Sequence, residues 1–159
     1  MSSNEEQLSR ARSARAYFMQ GYNCAQSVSL AFADLTGLDR DSLAKLASSF
    51  GGGFGRLREI CGAVSGMGIV AGLLYGYAAP ETGAPKSEHY KRIQELAGRF
   101  EAKNGTIICR TLLGRDIAQS PTPEPRTPEY YGKRPCADLV ACAAEILERY
   151  ILENPPEAR

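Results

Sequence analysis

Apolar residues recur along this chain at helical spacing, and no stretch of strict alternation is long enough to predict a sheet. Residues 5–19, rich in Arg, Ala and Glu, predict a first helix, which Gly21-Tyr22-Asn23 breaks. Asn23 reads as an N-cap, and Gln26 three residues on completes a box-like pair. A second helix is expected from about Cys24 to Leu35, with the stripe Cys24, Val28, Ala31, Phe32 and Leu35 and a stop at Gly37. A short helix at 41–49 precedes the glycine-rich loop Gly51-Gly52-Gly53-Phe54-Gly55-Arg56. An apolar helix at 59–78 and a mixed one at 86–103 follow. A brief helix from Thr106 to Leu113 ends at Gly114. Residues 120–135, with Pro121, Pro123, Pro125, Pro128 and Pro135, predict an internal loop. The last helix, 136–150, carries the stripe Leu139, Val140, Ala143, Ile146, Leu147 and Tyr150. The expected fold is all-α: a single domain over 1–159, with about six or seven helices around a Gly-rich buried central helix.

Composition agrees with a packed domain, at 43% hydrophobic and 23% charged residues over 159 positions. The net charge of +1 gives no electrostatic case for nucleic acid or an anionic membrane as partner. The N-terminal run MSSNEEQLSRARSARAYF has no apolar core and no adjacent arginine pair, so no export signal is visible and a cytoplasmic location is expected. That compartment keeps thiols reduced, so the five cysteines are not read as a disulfide framework. Ile60 to Pro80 is uncharged and close to the length of a membrane span. Its five glycines, Tyr75, Tyr77, Ser65 and Cys61 favour a buried central helix instead.

The cysteines separate by position. Cys24 and Cys136 each open a predicted helix and Cys61 lies in a first turn, where free N–H groups favour a thiolate. Cys109, beside Ile107, Ile108, Leu112 and Leu113, is expected mid-helix and buried. Cys142 falls roughly 90° from the centre of its helix's apolar stripe and reads as a small filler. The one histidine, His89, sits in a charged helix and is expected to face solvent, which leaves a Cys–His catalytic pair or a Cys₂His₂ site without support. Any metal would therefore be held by thiolates alone. Gly62–Gly66 and Gly68–Gly72 are spaced for close helix contact, which could bring other thiols to Cys61. The loop before Cys61 lacks the Gly-Lys-Ser/Thr ending of a P-loop and is expected to reverse the chain, with Arg56 or Arg58 near the thiols.

Several blocks of residues carry a family resemblance. Asn-Cys24-Ala-Gln, Phe50-Gly-Gly-Gly-Phe-Gly-Arg, Cys61-Gly-Ala-Val-Ser-Gly66, Ile108-Cys109-Arg-Thr-Leu-Leu-Gly114 and Arg-Pro-Cys136 stand in order. Together, from about 15 to 150, they resemble the C_GCAxxG_C_C family of redox-active proteins. The resemblance implies that the four family cysteines are Cys24, Cys61, Cys109 and Cys136. It also implies redox activity of an unsettled kind; haem-bearing relatives resemble holders of an iron–sulfur centre in this domain, and this chain lacks their haem-attachment segment.

The leading expectation is that these four thiolates ligate an iron–sulfur cluster, of two-iron, two-sulfur type, for electron transfer or redox sensing. One alternative is metal-free dithiol–disulfide exchange, with Cys24 or Cys61 as the attacking thiolate. Another is a non-redox zinc or partner-binding module. The expected partner is a redox protein, with no nucleic acid and no membrane. The apolar last helix and the small-residue ridge are compatible with a homodimer.

Overall fold

The structure is a computed structural model and describes residues 3–80, 83–114 and 116–157. Of the expected unit 1–159, residues 1, 2, 81, 82, 115, 158 and 159 lie outside the described residues. The architecture is all-α. The helices are α1 (Ser3–Met19), α2 (Cys24–Leu30), α3 (Ala33–Thr36), α4 (Arg40–Ala47), a 3₁₀ turn (Ser48–Phe50), a distorted turn α5 (Gly51–Phe54), α6 (Gly62–Tyr75), α7 (Ala84–Asn104), α8 (Cys109–Leu113), α9 (Pro128–Lys133) and α10 (Cys136–Glu153). Among the described residues the only extended pairing is one antiparallel bridge between Ile60 and Ile108.

α1 and α10 pack along their lengths. Ala11, Ala14 and Phe18 of α1 form a buried stripe at helical spacing and contribute to the same core as Leu139, Val140, Ala143, Ile146 and Leu147 of α10. Burying a side chain such as Phe18 or Leu147 contributes about 1.5–3 kcal/mol relative to leaving it in water. An ion pair between Arg15 and Asp138 (2.8 Å) spans the two helices at the surface. The apolar stripe of α10 is thus covered within the chain.

α2 begins as its cap residues require. Asn23 Oδ1 accepts from the Gln26 N–H at 2.9 Å, and Gln26 Oε1 accepts from the Asn23 N–H at 3.1 Å. The same two side chains reach α4 and its end: Asn23 Nδ2 donates to the Ser48 carbonyl, and Gln26 Nε2 to that of Ala44. The helix expected over 24–35 is interrupted after Leu30, because Phe32 leaves helical geometry (φ −117°, ψ 15°) before α3 resumes and Gly37 closes it left-handed. Phe32 stays fully buried, which explains why the apolar stripe runs through the break.

α6 is the Gly-rich central helix, with Gly62, Ala63, Val64, Gly66, Met67, Val70 and Ala71 buried. It has 14 residues, against the span expected over 59–78, and among the described residues no helix is long and apolar enough to cross a membrane. Gly62 and Gly66 let α6 lie directly on α2. A Cβ on Gly62 would stand 2.9 Å from Cys24 Cβ, and one on Gly66 2.9 Å from Val28 Cβ. Gly68 and Gly72 face no atom within 4 Å, so close approach belongs to the first glycine pair alone.

Substitution separates the two pairs. Gly62→Ala or Gly66→Ala overpacks the α2–α6 contact and should cost about 1–3 kcal/mol. Gly68→Ala should gain about 0.5–1 kcal/mol, because alanine is the better helix former where space is open. Urea unfolding midpoints should move in opposite directions; a shared direction would contradict this packing.

Candidate functional site

Each of the four cysteines is set at the first turn of a helix. Cys24 is the first residue of α2, directly after its Asn23 cap, and Cys136 is the first of α10 after Pro135. Cys61 is the N-cap of α6. Cys109 is the first residue of α8, not a mid-helix residue as the sequence predicts, because 106–108 is drawn out of the helix to pair with 59–61. The Cys61 N–H donates to the Ile107 carbonyl at 2.7 Å, and the Cys109 N–H to that of Glu59 at 2.6 Å. Around the Ile60–Ile108 bridge, residues alternate between two faces. Ile60 points outward and is 37% exposed, so Cys61 and Cys109, next to the bridged residues, share the inner face at 4% and 6%.

All four thiols line one cavity of about 480 Å³. Cys24 and Cys136 lie near enough for each to shift the other's acidity. Cys142 lies apart, near Asn104 Nδ2 (3.6 Å), and does not line the cavity. His89 is also remote from it, held against Arg92 and the Tyr77 ring.

The glycine-rich loop forms one wall. Gly51 packs on the Asn23 side chain, where a Cβ would stand 2.5 Å from Nδ2. Gly53, at φ 69°, lies against Cys109, where a Cβ would stand 2.7 Å from the cysteine's own Cβ. Left-handed geometry continues through residues that disfavour it: Phe54 (φ 71°), Arg56 (φ 66°) and Arg58 (φ 63°). Such residues each cost about 1–3 kcal/mol and persist where surrounding contacts impose them. Here the bonds are backbone ones: Arg58 N–H to Gly52 O (3.0 Å), Glu59 N–H to Gly53 O (2.9 Å) and Arg110 N–H to Arg58 O (3.1 Å). They turn Arg58 inward, 5% exposed, with Nε donating to the Ala118 carbonyl and a terminal nitrogen 3.9 Å from Cys109 Sγ.

Two more arginines come from the segment expected to be plain loop. Residues 128–133 are helical as α9, with Thr127 Oγ1 accepting from the Tyr130 N–H and Pro128 in the first turn. Arg126 donates to the carbonyls of Phe18 and Tyr22 and stacks on Phe18, Tyr130 and Tyr131. Arg134 pairs with Glu124 at 2.6 Å. These residues were missed as site residues; the Thr127-Pro128 pair is the sequence signal for the turn that places them.

A helix start alone does not make these thiols acidic. Burial pushes Cys61 up to about 12 and raises Cys109 against the pull of Arg58. Cys24 is raised well above the ordinary thiol value by its interaction with the Cys136 thiol, and then by burial. Cys136 moves the other way: its interaction with the Cys24 thiol lowers it, helped by Arg134, Arg126 and Arg58. Burial and the neighbouring thiols thus disfavour the thiolate at Cys24 and Cys61, the two expected to attack, and the shift at Cys136 favours it there. Among the described residues no three His, Cys, Asp or Glu side chains are grouped to hold a metal ion. As they stand, the thiols do not form the single four-donor point that a tetrahedral zinc ion needs.

Limited alkylation of the reduced, metal-free chain near neutral pH should modify Cys136 first among the four. Arg134→Met should slow that reaction by up to about tenfold, since one unit of thiol pKa is a factor of ten in thiolate. Peptide mass mapping reads both outcomes; earlier modification of Cys61 or Cys24 would contradict the charge distribution.

A family model described as "Putative redox-active protein (C_GCAxxG_C_C)" matches residues 22–150. No curated protein matches the chain. No solved structure matches it either. The matched span contains the capped start of α2, the glycine turn, the Cys61 and Cys109 helix starts and the start of α10. With most of its length and all four cavity thiols inside the match, the chain belongs to the C_GCAxxG_C_C family of redox-active proteins.

Proposed function

We propose that Cys24, Cys61, Cys109 and Cys136 hold an iron–sulfur cluster, of two-iron, two-sulfur type, used for one-electron transfer or redox sensing. The observation that carries this reading is the convergence of four thiols from four separate elements on one cavity with arginines in its wall. The donor set is all sulfur, which is the set such clusters take. A two-iron cluster needs two thiolates on each iron, so it asks for two pairs of thiols and not for a group of three. Cys24 and Cys136 would serve one iron, and Cys61 and Cys109, which share the inner face beside the Ile60–Ile108 bridge, the other.

Charge supports the same reading. Arg56, Arg58, Arg126 and Arg134 are opposed in the cavity wall by Glu124, a net of three positive charges by side-chain count. A two-iron cluster with four thiolates carries roughly −2 when oxidised and −3 when reduced. The arginines thus offset much of the charge that four buried thiolates would otherwise add. Arg58 acts on Cys109 directly, and together with Arg126 and Arg134 it acts on Cys136. The packed glycine turn and the α2–α6 contact leave Cys61, Cys109 and Cys136 buried and Cys24 partly exposed. The cluster, when bound, supplies the one-electron couple.

A second reading rests on the nearness of Cys24 and Cys136 on the shared cavity and their opposite shifts in acidity. In metal-free protein the Cys136 thiolate would attack a small-molecule disulfide. Cys24 would then displace the second thiol, giving a Cys24–Cys136 bridge and two reduced small thiols. Two electrons pass to the oxidant disulfide, and its two released thiolates take up the protons lost by the pair.

Anaerobically purified protein should contain two iron and two sulfide per chain and show visible charge-transfer absorption. Serine at Cys24, Cys61, Cys109 or Cys136 should lower the iron content and bleach the spectrum, while Cys142→Ser should change neither. Iron-free, colourless protein that yields a Cys24–Cys136 bridge under mild oxidation would favour the second reading instead.

A further inference from the structure

Residues 51–60 form the wall between the thiols and solvent, and one stretch of that wall is apolar on its outer side. Phe54 is 53% exposed, Leu57 49% and Ile60 37%, all within seven positions. None of the three lines the cavity. Phe54 follows Gly53, whose backbone touches Cys109, so the exposed ring is one residue removed from the buried sulfur. Its ring meets Phe50 at 5.7 Å and still leaves half of its surface in water. Its backbone is left-handed at φ 71°, where glycine would be at ease. Fold stability therefore does not account for a phenylalanine here: the residue carries both backbone strain and apolar exposure.

The rim of this patch is positively charged. Arg110 pairs with Glu59, which leaves Arg56 beside the apolar residues, its Nε on the Ser120 carbonyl. Arg56 also lines the thiol cavity, where Arg58 and Arg134 add positive potential beside it and Glu124 offsets part of it.

We propose that Phe54, Leu57 and Ile60, with Arg56 at their edge, form the docking surface for an acidic one-electron-transfer protein. Docking there brings the partner's redox group to the loop that covers Cys109. The inference rests on the cavity being a one-electron centre. One electron passes from the partner's reduced group to that centre, and no covalent bond is made or broken. Three apolar side chains and a positive rim suit the small, short-lived interfaces of electron-transfer pairs, which bury less than about 1,200 Å². Charge on the rim steers encounter more than it holds the complex.

The test uses an acidic [2Fe–2S] ferredoxin and a basic cytochrome c as probes, titrated into the isotope-labelled chain and followed by NMR. The variant is Phe54→Gly with Leu57→Ser. Glycine relieves the left-handed backbone at 54, so loss of fold does not explain loss of binding. The ferredoxin should bind at low salt with shifts centred on residues 54–60. Its affinity should fall by about tenfold or more in the variant and again in high salt. The cytochrome should not bind. Absence of ferredoxin binding, unchanged affinity in the variant, or preference for the cytochrome would each overturn the docking surface. Binding needs no chromophore, so iron and sulfide analysis of the same samples judges the cluster separately. Iron-free protein that docks through Phe54 counts against the cluster alone. Iron-loaded protein that ignores the ferredoxin counts against the surface alone.

Discussion

The thiol cavity depends on one contact, the seating of α2 directly on the first turns of α6. Gly62 and Gly66 remove the side chains that would hold the two backbones apart, and Cys24 and Val28 fill the space. The contact orients the start of α2, which is where Asn23 and Cys24 sit. Asn23 then does three things at once: it caps α2, donates to the Ser48 carbonyl and packs on Gly51. The glycine turn is anchored to the helix cap in this way, and its next residues run over Cys109. A wider α2–α6 spacing would move Cys24 away from Cys136 and loosen the wall over Cys109 together.

The second constraint is charge. Four thiols in a mostly buried cavity resist ionising, and burial outweighs the benefit of a helix start for Cys61 and Cys109. The chain brings in guanidinium groups from distant segments: Arg58 through a strained turn, Arg126 and Arg134 from either side of α9. Their burial is made tolerable by carbonyl, aromatic and carboxylate partners. The cavity therefore carries positive potential before any sulfur ionises. This is the property expected of a place built for an anionic group, and it links the proposed cluster to the positive rim at Arg56.

Much of this was legible in the sequence, and the exceptions share a cause. Long amphipathic helices announced themselves: α7 and α10 lie within a few residues of the expected 86–103 and 136–150. The Asn23–Gln26 capping pair was also readable, because its geometry is local. Cys109 was misplaced because Ile107 and Ile108 fit a helix as well as an extended pair, and only the distant residues 59–61 decide between them. The break at Phe32 was hidden because its side chain stays on the buried stripe. Arg126 and Arg134 stood in a run of prolines, where composition masks a short capped helix. The set of four cysteines was legible through the family resemblance. The nearness of Cys24 to Cys136, and the lowered pKa of Cys136, follow from tertiary packing that no local pattern reports.

The central claim is that the four thiols act as one cofactor-holding redox unit. Native mass spectrometry of protein kept anaerobic from cell lysis reads this in a single spectrum. The account predicts a mass above that of the bare chain by two irons and two sulfides, less the protons displaced from four thiols. A spectrum showing only the bare chain, or the chain short by the two hydrogens of one disulfide, would contradict it.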